Sequence, residues 1–277
     1  MRSDNAFGIG SARCQIVASV MVACGISMDV MARGESQADI ARKLNNPISD
    51  LISVPFQLNY DDNIGPTDKG SRWLLNIQPV IPVALNEDWN VISRTILPLI
   101  QLNDVPPGAD TNGVGDVFQS FFLSPRTPTA SGWIWGVGPA LLLKTASDDL
   151  LGAGKWAAGP TAVVLKQNSG WTYGALTNHV WSFAGDGDRA DVNSTFIQPF
   201  LAYTTPRFTT VTLNTESTYD WNAEQWSVPI NLGASQLFKV GGQPMSIQLG
   251  ARYWAQSPDS GAEGWGLRLT YTLVFPK

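Results

Sequence analysis

The C-terminal stretch GLRLTYTLVFPK, residues 266–277, alternates large apolar side chains with polar ones. Every second residue from Leu267 to Phe275 is apolar or aromatic, and Arg268, Thr270 and Thr272 lie between them. This two-residue period predicts a β-strand with one apolar face and one polar face. The question that the strand raises is what covers its apolar face.

The composition is unusual for a water-soluble protein. Of the 277 residues 44% are hydrophobic and only 15% are charged, and 11 are Trp. Soluble proteins carry about 25% charged residues. Beyond residues 1–38 no run approaches the ~18 apolar residues of a membrane helix. The net charge of -5, without a basic patch, argues against a nucleic-acid partner.

Residues 1–38 are typical of an export signal. Two arginines precede the apolar stretch IVASVMVACGI, and small-residue cleavage candidates follow at Ala32 and Ala38. A lipid-attachment site at Cys24 is the alternative, although MVAC is a weak match. Because Cys14 and Cys24 both lie in this segment, we expect neither a disulfide nor thiol chemistry in the mature chain.

Downstream of residue 51 the sequence predicts strands separated by turns, and no further helix. The twelve predicted strands cover residues 51–61, 72–85, 89–103, 114–126, 132–146, 156–168, 171–184, 191–205, 207–221, 225–239, 243–256 and 264–275. Several prolines lie inside them, and each removes a backbone donor, so we expect bulges or strand ends nearby. They include Pro55, Pro79, Pro98, Pro139, Pro160, Pro199 and Pro229.

The connections between the predicted strands alternate in length. Short turns such as NED and NSG alternate with longer acidic segments such as NDVPPGADTNG and TASDDLLGAGK. An up-and-down membrane barrel has this asymmetry, with short periplasmic turns and longer outer loops, whereas a soluble sandwich has no reason for it. We therefore predict an all-β, transmembrane antiparallel up-and-down β-barrel of about twelve strands over residues 51–277. Lipid covers its apolar faces, and the last strand pairs with the first near Phe56.

A short helix is predicted over residues 39–47. Ser36 can cap it, Ile40 and Leu44 share one face, and Pro47 ends it. This apolar stripe is too small to hold the helix on a membrane. We expect the helix to dock against the barrel, either as a plug in the lumen or at the periplasmic mouth.

Several stretches resemble one family of membrane proteins. They include NPISDLISVPFQLNYD, LNIQPVIP, NEDWNVISRTILP, WIWGVGP, YGALTNHVWS and LRLTYTLVFPK. They are similar to a group of Gram-negative outer-membrane β-barrel proteins that are labelled "transporter" or, misleadingly, "neuromedin U", and that resemble the barrels of the phenol-degradation meta-pathway. The resemblance runs over nearly the whole mature chain and implies the cell outer membrane, but no catalytic or ligand-binding residues.

Two sets of residues are candidates for functional positions. Tryptophans near predicted strand ends suit the interfacial girdles of a membrane barrel; they are Trp73, Trp89, Trp133, Trp156, Trp171, Trp221, Trp226, Trp254 and Trp265. Polar residues on inward faces would set the selectivity of a narrow lumen; the main ones are Arg94, Asn214, Glu216, Asp220, Asn231, Gln248, Arg252 and Arg268. Either the arginines oppose the carboxylates across an open path, or the charges pair with one another and fill the interior.

Two further features invite comparison with catalytic and metal sites. His179 and Ser182 are three residues apart, which places them on opposite faces of a strand, so they cannot form a nucleophile–base pair. The acidic segments around Asp61, Asp148 and DGDRAD lack the full spacing of a calcium loop, and a solvated outer surface is the default interpretation. We expect no cofactor, no metal and no catalytic residue.

These observations predict a non-enzymatic, porin-like channel for passive diffusion of small solutes, and the family resemblance implies that hydrophobic or aromatic solutes are among them. The alternatives are a closed structural or adhesive barrel and, disfavoured by the His179 spacing, an outer-membrane hydrolase. The expected partners are membrane lipid and lipopolysaccharide, a small-molecule solute and the barrel-assembly machinery. The assembly machinery is expected because the aromatic Phe275 resembles a C-terminal assembly signal.

Overall fold

A computed structural model describes residues 36–276 as one closed antiparallel barrel with a short helix before the first strand. The elements are α1 (Gln37–Leu44), β1 (Ile52–Ile64), β2 (Gly70–Ile77), β3 (Val80–Ala84), β4 (Trp89–Asn103), β5 (Thr111–Val114), β6 (Val117–Pro125), β7 (Trp133–Leu143), β8 (Lys155–Asn168), β9 (Trp171–Gly185), β10 (Asn193–Thr204), β11 (Thr209–Thr215), β12 (Ser217–Asp220), β13 (Gln225–Val240), β14 (Gln243–Gln256) and β15 (Gly264–Phe275). The predicted signal peptide falls mainly on residues 1–35, outside the described residues.

Three pairs of short elements each form one barrel strand, so that the fifteen elements make a barrel of twelve strands. The pairs are β2 with β3, β5 with β6, and β11 with β12. Each break lies at or beside a proline: Pro79 separates β2 from β3, Gly115 donates to the carbonyl of Pro98, and Glu216 donates to that of Pro229. A proline removes a ladder donor, so the strand is interrupted there and the ring still closes.

The barrel closes where the sequence predicts. β1 pairs with β15 from Ile52↔Phe275 to Tyr60↔Leu267, and Phe56 lies opposite Tyr271. The predicted antiparallel barrel of about twelve strands with a short N-terminal helix is confirmed.

The two faces of the wall differ as the alternation in β15 predicts. Leu267 and Leu269 are exposed on the outside, whereas Arg268 and Thr270 are buried inside. The same division holds for most of the wall, which exposes a belt of large apolar side chains. No helix among the described residues has the length and apolar character needed to cross a bilayer.

Residues 36–51, which we call the N-terminal segment, cover one end of the barrel. The Ser36 hydroxyl accepts from the Asp39 amide and caps α1. Ile40 and Ala41 are buried against Leu237 and Val274, close to the ends of their strands. The end of β13 is joined to β14 by a tight turn at Gly241 and Gly242, so α1 lies at what we call the short-turn end of the barrel; the opposite end is the long-loop end.

Candidate functional site: the barrel lumen

Five charged side chains form a continuous network inside the barrel, which we call the ionic cluster. Its members are Asp61, Arg72, Glu216, Arg252 and Arg268. Asp61 lies between Arg72 and Arg252, with distances of 2.8 and 3.3 Å from its Oδ2 to their Nη atoms. Arg268 holds Glu216 with two parallel hydrogen bonds of 2.9 and 2.7 Å, and Arg252 also donates to this carboxylate at 3.1 Å.

Amides and an indole form further hydrogen bonds with Asp61, Arg252 and Arg268. Arg268 Nε donates to Asn59 Oδ1 at 2.7 Å, and Arg252 Nε donates to Asn231 Oδ1 at 3.0 Å. The Trp254 indole donates to Asp61 Oδ1 at 3.0 Å, and the Arg252 guanidinium lies 5.5 Å from the centre of its ring. Buried charges are tolerated when they are paired and hydrogen-bonded in this way.

Gly266 allows the pair of Asp61 and Arg252 to form. Arg252 is opposite Gly266 on β15, and the β1 residue Asp61 is next to Tyr60, which pairs with Leu267. The Arg252–Asp61 contact therefore crosses over β15. A Cβ at position 266 would lie 2.9 Å from Asp61 Oδ1 and 2.6 Å from the Tyr60 carbonyl oxygen.

The other side of the lumen is filled by what we call the apolar cluster. Its buried members are Ile48, Val80, Ile92, Phe122, Val163, Leu165 and Leu176. Ile134, Phe196 and Phe200 pack against it. Ile48 belongs to the N-terminal segment, so this segment reaches from the barrel rim into the apolar side of the lumen.

A cavity of about 260 Å³ lies between the ionic cluster and the N-terminal segment. Glu216 and Arg268 line it from the ionic cluster, and Arg94 and Gln248 line it from the neighbouring wall. The stretch from Ala41 to Pro47 forms part of the lining at the short-turn end. Asn45 there donates to the Thr204 hydroxyl at 3.1 Å and ties the segment to the wall. The lumen is therefore narrowed by charges in its wall and by the N-terminal segment.

Seven of the eight main lumen candidates lie inside the barrel: Arg94, Asn214, Glu216, Asn231, Gln248, Arg252 and Arg268. Asp220 does not. It is the last residue of β12 and is exposed, and its Oδ1 accepts from the amides of Asn222 and Ala223 in the following turn. Asp220 is an even number of residues from Glu216, and in an uninterrupted strand it would share the inward face with Glu216. Because β12 ends at Asp220, its side chain caps the following turn instead.

Three functional positions are missed or misassigned from the sequence. The residues around Asp61 predict an acidic outer loop, but β1 continues to Ile64 and the Asp61 side chain is fully buried inside. A signal for this burial is present, because Gln57, Asn59 and Asp61 alternate along β1. Arg72 and Gly266 are not among the candidates, and the sequence alone gives no sign that they meet at Asp61.

The tryptophans form two outward bands, with one exception. Trp73, Trp156, Trp221, Trp226 and Trp265 lie towards the long-loop end, and Trp89, Trp133 and Trp171 lie towards the short-turn end. Trp135 and Trp181, which are not among the candidates, join these bands. Trp254 is the exception: it shares the inward face of β14 with Arg252, and hydrogen bonding to Asp61 keeps its indole in the lumen.

His179 lies on the outer face of β9. Its Nδ1 is 2.7 Å from Thr195 Oγ1 on β10, and the Trp221 indole donates to the same hydroxyl at 2.8 Å. Ser182 instead bonds with Asp191 at 3.1 Å, so the structure does not bring Ser182 to the imidazole.

The acidic DGDRAD segment pairs with lysines. Asp186 bonds with Lys144, and Asp191 lies 3.0 Å from Lys155 Nζ. Hydrogen bonds from Lys155 and Ser182 hold the pKa of Asp191 below its ordinary value. Across residues 36–276 no group of three or more potential ligand side chains comes together to hold a metal ion.

No family model and no curated protein matches the chain, so the finer family assignment stays a prediction. Among solved structures, an outer membrane channel from Pseudomonas putida F1 is similar, with 18% identity, a TM-score of 0.63, and 81% of this chain and 94% of that chain covered. Outer membrane phospholipase A from Escherichia coli has 12% identity and a TM-score of 0.46, covering 88% and 99%. The Salmonella typhi outer membrane phospholipase has 11% identity and a TM-score of 0.47, covering 88% and 98%.

The fold is that of outer-membrane β-barrel proteins. The outer surface carries what such a barrel needs, an exposed apolar belt with aromatic side chains towards both ends. A closed barrel also leaves no backbone edge unpaired in lipid. The chain therefore has the fold and the apolar outer surface of an outer-membrane β-barrel.

Proposed function

We propose that the protein is a channel through which small solutes, hydrophobic and aromatic ones among them, cross the outer membrane by passive diffusion. The observation that carries the proposal is the cavity of about 260 Å³ inside the barrel. A barrel built only as a scaffold would gain stability by filling this space, because unfilled interior volume weakens a core. The fold similarity to an outer membrane channel agrees with this role.

The short-turn end is assigned to the periplasm, in keeping with the usual orientation of outer-membrane barrels. A solute entering from outside would pass the ionic cluster and reach the cavity, and the N-terminal segment would control its exit. Arg268 and Glu216 would define the narrow point, since they lie in both the cluster and the cavity lining.

The proposal is tested by conductance and liposome swelling with solutes of graded size. We expect the purified protein to pass small solutes and a deletion of residues 39–47 to pass more and larger ones. A heat-modifiable gel shift checks that the deletion variant is folded. If both proteins fold but neither admits any solute, the closed structural or adhesive barrel is the better explanation.

A hydrolase remains the second candidate, because the pair of His179 and Thr195 is within hydrogen-bonding distance on the outer face. Against it, the Thr195 hydroxyl already accepts from Trp221, and within the described part of the chain no hydrogen bond orients the second ring nitrogen of His179. We expect His179→Ala to leave solute passage unchanged. Ester hydrolysis by the wild type that His179→Ala abolishes would establish the hydrolase instead.

A further inference from the structure

Arg94 occupies an unusual position in the lumen. It lies on β4, lines the cavity, and donates from Nη2 to Gln78 Oε1 at 3.3 Å. Gln78 is a neutral amide. Within residues 36–276, the ion pairs of the lumen involve the other three arginines, and no carboxylate lies within salt-bridge distance of Arg94.

The carboxylate that faces Arg94 across the cavity is already engaged. Glu216 takes two hydrogen bonds from Arg268 and a third from Arg252. Counting the ionic cluster together with Arg94, four guanidinium groups face two carboxylates, an excess of two positive charges. A positive charge in a poorly solvated interior is stabilised by an anion, and the planar guanidinium suits a carboxylate with two parallel hydrogen bonds.

Arg94 also lies at the boundary between the polar and the apolar sides of the lumen. It pairs across the sheet with Val80 and follows Ile92 on the same face of β4, and both of these belong to the apolar cluster. Val80 and Phe200 line the cavity together with Arg94. An anion held by Arg94 would therefore have apolar and aromatic surface beside it.

The size of the cavity restricts the rest of the ligand. Pockets for drug-sized ligands measure about 300–1,000 Å³, and this cavity, at about 260 Å³, lies below that range. We infer that the cavity binds a small organic carboxylate, with its carboxylate on Arg94 and its apolar body against Val80 and Phe200. The inference rests on the proposed function in that it names the class of solute that the channel would pass.

Binding is measured on the purified full chain in detergent by isothermal titration calorimetry, with benzoate as the probe and benzyl alcohol as its neutral counterpart. We expect saturable binding of benzoate at one site and binding of benzyl alcohol at least about tenfold weaker, since a hydrogen-bonded charge contributes that much. Arg94→Gln should weaken benzoate binding by about tenfold or more. Arg94→Lys should retain part of the affinity, because it keeps the charge but loses the planar fork.

The matched control is Lys166→Gln. It removes one positive charge from the outer face of the barrel, where Lys166 lies 5.8 Å from the ring centre of Trp133, and it should bind benzoate like the wild type. A gel shift establishes that each variant is folded. Equal affinity of the wild type for benzoate and benzyl alcohol, or unchanged benzoate binding by folded Arg94→Gln, would overturn the inference.

Conductance in planar bilayers separates this inference from the proposed function. Arg94-dependent benzoate binding by a barrel that conducts nothing would support the carboxylate site while refuting the channel. Conduction without any benzoate binding would leave the channel standing and refute the carboxylate site. Benzoate that binds and also blocks the current in the wild type, but not in Arg94→Gln, would support both.

Discussion

The two sides of the lumen are built on the same strand geometry and are stabilised by different interactions. On one side, β1, β2, β14 and β15 direct Asp61, Arg72, Arg252 and Arg268 inward, and these charges meet Glu216. On the other side, β4, β6, β8 and β9 direct aliphatic and aromatic side chains inward. The outer face has to be apolar on every strand because lipid covers it. The inner face is free to vary, so the barrel can combine a charged wall with an apolar one.

This difference predicts how each side responds to a substitution. The ionic cluster is a connected network, and removing one member leaves a buried charge uncompensated. The apolar cluster consists of many separate contacts, so its loss on truncation depends on the volume removed.

The largest effect is expected for Glu216→Gln. This change removes the one carboxylate that lies between Arg252 and Arg268, whose side chains are 5% and 6% exposed. Breaking a buried pair in this way costs about 3–5 kcal/mol in the free energy of unfolding. Urea unfolding of the barrel in lipid vesicles measures it.

Glu224→Gln is the matched control for this change. Glu224 is exposed in the turn between β12 and β13, so we expect a loss within about 0.5 kcal/mol. If Glu216→Gln destabilises the barrel no more than Glu224→Gln does, the ion pairs of Glu216 with Arg252 and Arg268 do not stabilise the barrel.

The difference between a polar and an apolar lumen side also determines how well the sequence predicts which residues face inward. Along β15, polar and apolar residues alternate, so Arg268 can be placed inside the barrel from the pattern alone. Along β7, the stretch WIWGVGPALLL is apolar on both faces, and its orientation cannot be assigned from the pattern. The structure shows that Gly136 and Ala140 face inward there and that Val137 faces lipid. Alternation is visible only where the lumen is polar.

Partners across the sheet are harder to predict than facing direction. Asp61 and Arg252 are 191 residues apart, and their contact depends on which strands become neighbours when the ring closes. Asp220 and Trp254 are misassigned for a related reason. The alternation of β12 places Asp220 on the inward face, but the strand ends at this residue. Trp254 is near the end of β14, but the alternation of that strand places it on the inward face. A local pattern gives the face of a residue, whereas its contacts follow from the register of the whole sheet.

The second prediction concerns the apolar side. Ile48 is 4% exposed and anchors the N-terminal segment in the apolar cluster. Ile48→Ala should weaken this anchor by about 2–5 kcal/mol, the usual range for such a truncation in a core. Because the rest of the barrel does not depend on this contact, we expect the segment to detach locally while the barrel stays folded.

Limited proteolysis within residues 36–50, together with an increased conductance, would detect this detachment. Ile81→Ala is the matched control, because Ile81 is 45% exposed on the outer face of β3 and the substitution makes the same chemical change outside the lumen. Equal protease resistance of the two variants would show that Ile48 does not anchor the segment.

The smallest effect is expected for Gly266→Ala. This substitution tests whether the ionic cluster needs a residue without a side chain at the point of β15 that the Arg252–Asp61 contact crosses. In Gly266→Ala the new Cβ would lie within 2.9 Å of Asp61 Oδ1, so the Arg252–Asp61 contact must shift. Overpacking of this kind costs about 1–3 kcal/mol. Gly187→Ala is the control, since nothing lies within 4 Å of a Cβ at that position.

The penalty of Gly266→Ala should shrink when it is combined with Asp61→Ala, because the carboxylate oxygen is then absent. Urea unfolding of the two single variants and the double variant measures this coupling. Equal penalties of Gly266→Ala with and without Asp61→Ala would instead assign the effect to the second close contact, at the Tyr60 carbonyl. The ionic cluster would then tolerate a side chain over β15, and its geometry would depend on the strand register alone.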